Sequence, residues 1–268
     1  MRNRAPLLLF AVLVACGGGS PPEHGDAATS SDAALVDASV VVDAHRAPDA
    51  ARDAGATDAG QDAGPAAFGT IVSTACGTVV AELDDPTPSF HQVRLDFMMD
   101  GFDDPAERSL LTAGAQEILE EGTAGGSSAL SEAFAFEVLA RCEGAALIKT
   151  ETEIGYDPVT STKTDMLVEI DGTRIGVSVV RAYQFPPGSP YPVATATPIL
   201  RRKLEDILES SANVVVEDDW QKQILAVIAY GDMHAESIRT AWDAMDDTVR
   251  ADTIVYVVVT DGDDMALY

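Results

Sequence analysis

The chain has 268 residues, 46% of them hydrophobic, and its 17 basic and 44 acidic side chains give a formal net charge of −27 at pH 7. A field of this sign repels nucleic acid and anionic membrane surfaces, so nucleic acid is not expected as a partner. The sequence contains three cysteines and no Cys-x-x-Cys pair, which excludes the ligand spacing typical of a structural zinc site.

The N-terminus has the pattern of a secretory signal. Arg2 and Arg4 precede an apolar run of about ten residues, which is too short to span a bilayer. The run ends in Leu13-Val14-Ala15-Cys16, which resembles the lipobox of bacterial lipoproteins. The resemblance implies that residues 1–15 are a signal peptide and that Cys16 carries the lipid, such as palmitate, that anchors the protein to the outer membrane. An ordinary signal peptide with a chance cysteine is the alternative.

Residues 16–67 follow as a segment without periodicity, in which Asp-Ala pairs recur irregularly among Gly, Pro and Ser. Such a segment buries too little apolar surface to offset the entropy of ordering, so we expect a disordered tether behind the lipidated cysteine. Residues 68–268 carry 13 basic and 35 acidic side chains, a net charge of −22. Their length suffices for a single α/β domain with a substantial core.

Apolar periodicity and turn signals predict the elements of this domain in chain order. The predicted elements are strands over 69–83 and 91–98, helices over 105–121 and 129–141, a strand over 145–155, a hairpin within 163–183, a helix over 198–210, a strand over 222–230, a helix over 235–246 and a strand over 252–260. This alternation predicts an α/β fold with a mixed β-sheet flanked by helices.

Two cysteines remain once Cys16 is assigned to the lipid. Cys76 lies in the first predicted strand and Cys142 at the end of a predicted helix. A chain bound for an oxidising compartment retains disulfides, so we predict that these two cysteines pair. Two buried free thiols are the alternative.

The strongest local signal is Asp171-Gly172, which lies between two apolar-rich runs. A type I′ turn requires positive φ at both central residues, and this dipeptide tolerates that geometry, so it predicts a tight β-hairpin. In this register the facing pairs are Glu169 with Arg174, Asp165 with Ser178, and Lys163 with Val180.

The order helix, three meandering strands, helix, strand over residues 128–230 resembles the common core of the PD-(D/E)XK nuclease superfamily, the restriction-endonuclease-like fold. Members of that family hold a divalent metal with an Asp on the second core strand and a Glu on the third, and a Lys two residues after this Glu assists the attacking water. The resemblance identifies Asp165 as the strand aspartate, and Glu132 or Glu137 as the helix glutamate that many members add. The Glu-x-Lys positions read Ser178-Val179-Val180, which departs from the family pattern.

A rearranged site would supply the missing groups. Lys163 lies two residues from Asp165, so in a strand both side chains share one face of the sheet. Glu151 or Glu153 on the preceding strand would add a second carboxylate. This hypothesis predicts that Asp165 and Lys163 are catalytic and that Asp165, Glu137 and Glu151 hold Mg²⁺ or another divalent cation. The alternative is that Lys163 only offsets the charge of Asp165.

Basic residues are few, and several of them stand close to the hairpin. Arg181 ends the hairpin, and Arg201, Arg202 and Lys203 lie in the next predicted helix. Their convergence would form an anion-binding site for a group such as phosphate. Pairing with the many acids, or solvation, is the alternative.

Two functions follow from these patterns. The first is a membrane-anchored lipoprotein whose nuclease-like domain is catalytically inactive, needs no cofactor, and serves as a binding or structural module for an unknown protein or ligand partner. The second is a divalent-metal-dependent phosphodiester hydrolase with a rearranged active site. The acidic field favours the first, because a nuclease gains from attracting phosphate.

Overall fold

The computed structural model describes residues 68–98, 101–102, 104–122 and 128–268. The predicted signal peptide, the lipidation at Cys16 and the tether over residues 16–67 lie outside the described residues. Within the described ranges, no helix combines the length and the apolar character that crossing a bilayer requires.

The described residues form a seven-stranded sheet with helices on both faces. The strands are β1 Thr70–Val72, β2 Ser89–Asp96, β3 Ala146–Thr150, β4 Met166–Ile170, β5 Thr173–Ala182, β6 Lys222–Ala229 and β7 Ile254–Asp261. The α-helices are α1 Ala113–Glu121, α2 Ala129–Glu143, α3 Val193–Asn213, α4 Asp232–Asp243 and α5 Asp247–Arg250, and short 3₁₀ segments include Val79–Glu82, Glu151–Glu153 and Val216–Asp218.

The strand order across the sheet is β1-β2-β7-β6-β5-β4-β3. Neighbours among β2, β7, β6 and β5 pair in parallel. At one end β3, β4 and β5 form an antiparallel meander, and at the other β1 pairs antiparallel with β2. The sheet is therefore mixed, as the sequence predicts, and the carboxyl ends of the four parallel strands share one edge.

The hairpin register is confirmed. Glu169 faces Arg174, and the pairing continues in the same register to the start of β4. Asp171 and Gly172 have φ values of +48° and +77°, the positive values that a type I′ turn requires. The local sequence therefore determines this part of the sheet.

Helices cover the sheet on both sides. The helices α1 and α2 enclose one core around Phe134, and α3 and α4 enclose the other around Trp242. Residues 224–229 and 254–259 of the two central strands are buried throughout. Burial on both faces explains why these strands read as continuous apolar runs instead of alternating ones.

Several predicted elements have different bounds. The helix predicted over 105–121 is divided into a 3₁₀ segment, Pro105–Leu110, and α1. The strand predicted over 145–155 ends at Thr150, so Glu151 and Glu153 lie in a 3₁₀ segment and not on the strand that was predicted to carry them.

The first predicted strand and the third long helix also differ. The strand predicted over 69–83 shrinks to β1, because Gly77 turns the chain with φ +77° and a 3₁₀ segment follows. The helix predicted to start at Pro198 begins at Val193 instead, and it contains the proline. Its first turn is closed by the N–H groups of Thr195 and Ala196, which donate to the Pro192 carbonyl at 2.8 and 3.0 Å.

A disulfide joins Cys76 to Cys142, with a Cα–Cα distance of 4.6 Å. The neighbouring residue Glu143 is buried and accepts hydrogen bonds from the Val79 backbone N–H at 3.1 Å and the Tyr256 hydroxyl at 3.0 Å. The disulfide and the Val79 hydrogen bond therefore join the segment between β1 and β2 to the end of α2, and the Tyr256 hydrogen bond joins the end of α2 to β7.

The elements α2, β3, β4, β5, α3 and β6 follow one another in the chain. The first three of these strands meander, and β6 lies parallel to β5. This is the element order that the family resemblance implies, and it confirms the predicted α/β class with a mixed sheet.

Candidate functional site

The end of β3 and the start of β4 bring two carboxylates to one edge of the sheet. Thr150, the last residue of β3, pairs with Met166, the first residue of β4. Glu151 and Asp165 are the next residues beyond this pair, one on each chain segment. The antiparallel pairing therefore places both acids at the same edge.

Hydrogen bonds hold Asp165 in place there. Its backbone N–H donates to the Val177 carbonyl at 3.1 Å, and its carboxylate accepts the Val179 N–H at 2.5 Å. Burial, and to a lesser extent the charge of Glu151, raise the pKa of Asp165 against the lowering effects of Lys203 and of the Val179 hydrogen bond, and the net result is a pKa of about 6. The hydrogen bonds therefore fix the position of the Asp165 carboxylate, and its surroundings disfavour its charged form.

The first turn of α2 adds a third carboxylate, Glu132. Its side chain is buried and accepts a hydrogen bond from the Ser128 hydroxyl. Burial and the negative charges of Asp165 and Glu151 together raise the pKa of Glu132 to about 7, against the lowering effects of Ser128 and Lys203. Three acids therefore repel one another at this edge, and the pKa of two of them, Glu132 and Asp165, is raised above its usual value.

A cation reaches the same place from α3. Leu200 and Leu204 of this helix are fully buried against the sheet, and Lys203 beside them is partly buried. The charge of Lys203 lowers the pKa of both Asp165 and Glu132. The structure therefore brings together Glu132, Glu151, Asp165 and Lys203, which we call the acidic edge site.

Glu137, predicted as a metal ligand, lies elsewhere. Five residues along a helix turn the side chain by roughly 140°, so Glu137 and Glu132 leave α2 on different sides. Glu137 is fully buried, where it accepts the Thr112 N–H at 2.8 Å, the Thr112 hydroxyl at 2.7 Å and the Arg141 Nε–H at 2.6 Å. Its assignment as a metal ligand is corrected: Glu137 anchors the start of α1, and Glu132 is the helix glutamate beside Asp165.

Lys163, predicted as the catalytic lysine, lies in a loop. The strand β4 begins at Met166, so the pairing that would have set Lys163 opposite Val180 has already ended. Lys163 is exposed, and it has no hydrogen bond or ion pair with any described residue. The cation that acts on Asp165 is Lys203 instead.

The predicted anion site of three arginines does not form. Alternation along β5 places Arg181 on the face covered by α2, where it donates to the Leu267 carbonyl at 3.0 Å. Arg201 lies on α3, on the other face, 3.9 Å from a carboxylate oxygen of Asp246, and Arg202 is exposed. The two faces of the sheet separate these residues, so the prediction is corrected.

A second group of acids lies close to the first. Carboxylate oxygens of Glu117, Glu121 and Glu153 lie within 4.8 Å of one another, and all three residues are exposed. Two of them, Glu121 and Glu153, accept hydrogen bonds from the Thr150 hydroxyl. These acids are solvated, which weakens their mutual repulsion relative to that of the buried group.

The metal-free protein is expected to lose stability as pH rises through the titration of Glu132. Its pKa is raised from 4.5 to about 7, so within that window the folded state keeps a proton that the unfolded chain has released. Linkage then makes the contribution of Glu132 to the free energy of unfolding fall as pH rises from about 4.5 to about 7.

Urea unfolding in the presence of a chelator, repeated across that pH window, checks this expectation. Glu132→Gln cannot ionise, so its free energy of unfolding should fall less steeply than that of the wild type. Identical slopes for the two proteins would contradict the raised pKa of Glu132 in the folded protein.

No protein-family model matches the chain. A 155-residue stretch is 43% identical to the AAC-rich mRNA clone AAC4 protein of Dictyostelium discoideum; it covers 55% of this chain and 22% of that protein. The chain thus spans about a fifth of the length of this relative. Among solved structures, the chain is similar to SfsA of Pyrococcus furiosus in complex with Ca²⁺, at 17% identity and a TM-score of 0.26, over 49% of this chain and 57% of that one.

Proposed function

We propose that the α/β domain is a divalent-metal-dependent phosphodiester hydrolase with a rearranged active site. The observation that carries the proposal is the acidic edge site, in which Glu132, Glu151 and Asp165 meet Lys203 where β3 ends and β4 begins. Glu132 lies on the helix, and Asp165 directly before the second core strand, β4, near where the family that the core order resembles holds a Glu and an Asp; Glu151 follows the first core strand, β3, and not the third, where that family holds its second acid. The lysine differs, because it comes from α3 and not from β5.

The residues at this site suit a hard divalent cation. Carboxylate oxygens are the ligands that Mg²⁺, Mn²⁺ and Ca²⁺ prefer. Burial raises the pKa of Asp165 and of Glu132, and the nearby acids add to the effect, which indicates that one lysine leaves the negative charge under-compensated. Glu132, Glu151 and Asp165 would hold the cation, with Asp165 fixed by the Val179 N–H.

When bound, such a cation polarises a phosphate and acidifies a water molecule. The chain supplies the remaining functions. Lys203 carries the positive charge that would stabilise negative charge developing on a phosphate oxygen. Ser178 and Val180 stand at the family's Glu-x-Lys positions. Ser178 lacks the negative charge of the Glu, and Val180 lacks the positive charge and the N–H donors of the Lys. Glu151 would replace the first of these groups, and Lys203 the second.

A second candidate function is the inactive binding module, carried by the tether behind Cys16 at the outer membrane. Two observations favour it: Ser178 and Val180 break the family motif, and the domain carries a net charge of −22. Under this alternative the acids at the edge of the sheet are ordinary surface and capping groups, and they bind no cation specifically.

Hydrolysis of bis(p-nitrophenyl) phosphate, a simple phosphodiester, distinguishes the two candidates. With Mg²⁺ or Mn²⁺ we expect turnover that a chelator abolishes. Lys203→Met should lower kcat by roughly 100-fold, the usual scale for one electrostatic stabiliser or proton-transfer group.

Lys163→Met is the matched control, since it removes a lysine two residues from Asp165 that the structure leaves in solvent. The hydrolase proposal predicts wild-type activity for this variant. Loss of activity in Lys163→Met but not in Lys203→Met would reverse the assignment of the lysine. Absence of any metal-dependent turnover in the wild type would leave the binding module as the function.

A further inference from the structure

A groove lies between β2 and the first half of α4, away from the acidic edge site. It has a volume of about 500 Å³ and is lined by Gln92, Asp232, Met233 and Glu236. Alternate residues of β2 point into the core with α2, so Gln92 lies on the opposite face, the side on which α4 packs. The helix α4 starts just beyond the carboxyl end of β6, so the groove opens at the edge where the parallel strands end.

The groove is negatively charged, and the nearby cations are already paired. Asp232 and Glu236 stand four residues apart on α4, a spacing at which like charges on a helix repel. Arg94 is shared by Asp232 at 2.5 Å and Asp261 at 2.8 Å. Arg239 lies 3.7 Å from the centre of the Phe90 ring. Glu236 is exposed and has no hydrogen bond or ion pair with any described residue.

An exposed apolar side chain, Met233, lines the groove beside the two acids. Met233 is 73% exposed, although it lies one residue from the buried His234. Methionine is unbranched and polarisable, and it adapts to irregular apolar partners. The groove therefore presents two carboxylates and one flexible apolar surface within a single turn of α4.

We propose that this groove docks a segment of a partner protein in which a lysine or arginine stands beside an apolar side chain. The cation would meet Glu236 and Asp232, and the apolar side chain would pack on Met233. Charge complementarity selects this partner: the domain's net charge of −22 opposes an anionic lipid surface, and it also opposes a second copy of the same domain.

The test uses the full chain and a fluorescein-labelled helical peptide of leucine and lysine, with fluorescence anisotropy as the readout. Met233→Ser and Glu236→Gln should each raise the Kd by about fivefold, the scale of one modest contact or exposed ion pair. Val216→Ser and Glu217→Gln are the matched controls, because Val216 is 86% exposed and Glu217 is exposed beside it, just before the amino end of β6. Neither control should change the Kd.

Three results would overturn the proposal. Equal affinities for all four variants would show diffuse attraction of the peptide to an acidic surface. A peptide with glutamate in place of lysine that binds as tightly would remove the charge argument, and so would the absence of saturable binding. Concentration-dependent dimerisation of the wild type, lost in Met233→Ser by sedimentation velocity, would assign the groove to a second copy.

Discussion

Asp165→Asn is expected to lower the affinity of the domain for Mg²⁺ or Mn²⁺ by roughly 100-fold or more. Loss of a group that only supports a metal ligand already lowers affinity by 10- to 100-fold, and Asp165 would be a ligand itself. Its carboxylate is fixed by the Val179 N–H, and its charge interacts with those of Glu132 and Glu151. The substitution therefore removes the negative charge that the other two acids share the site with. Isothermal titration calorimetry with each cation measures the change.

Glu137→Gln is the control for this measurement. It removes the charge of a buried carboxylate on α2, the helix that carries Glu132, but that carboxylate is hydrogen-bonded to Thr112 and Arg141. We therefore expect Glu137→Gln to lower stability and leave metal affinity unchanged. A wild-type protein that takes up no divalent cation, or an Asp165→Asn variant that binds as well as the wild type, would contradict the assignment of Asp165.

Removing the disulfide with Cys76→Ser and Cys142→Ser is expected to lower the free energy of unfolding by about 4 kcal/mol, the chain-entropy estimate for a loop of this size. The bridge closes a loop whose ends are 66 residues apart in sequence. It also lies beside Glu143, whose bonds to Val79 and Tyr256 hold the same connection. Urea unfolding of the double variant and of the wild type gives the difference.

Reductant provides the internal control for the disulfide. The wild type should become less stable when reduced, whereas the double variant should not respond. Two alkylatable thiols at Cys76 and Cys142 in the unreduced, denatured wild type would show that the bridge is absent, and the predicted loss of stability would then not be observed.

Local chemistry made most of the fold predictable. Asp171-Gly172 determines a turn through backbone conformation alone, and the register of the hairpin follows from it. The central strands β6 and β7 are visible as continuous apolar runs because the sheet is covered on both faces. These signals depend on neighbours in the sequence, and the structure agrees with them.

The site was less predictable because it depends on contacts between distant segments. The stretch from Ser131 to Leu139 of α2 is buried without a break, so no amphipathic pattern shows whether Glu132 or Glu137 faces Asp165. Lys203 reaches the site only because α3 packs across the sheet, and the sequence places it beside two arginines that serve no common site. Lys163 was the nearer lysine in sequence, but β4 begins three residues after it.

The most direct test of the proposed site is the location of a bound metal. Crystals of the protein soaked in MnCl₂, with diffraction data collected near the manganese absorption edge, would show where the ion binds through its anomalous signal. We predict a peak about 2.0–2.6 Å from carboxylate oxygens of Asp165 and of Glu132 or Glu151, the range of oxygen distances for hard divalent cations. A peak confined to the exposed group Glu117, Glu121 and Glu153, or no peak at the acidic edge site, would contradict the proposal.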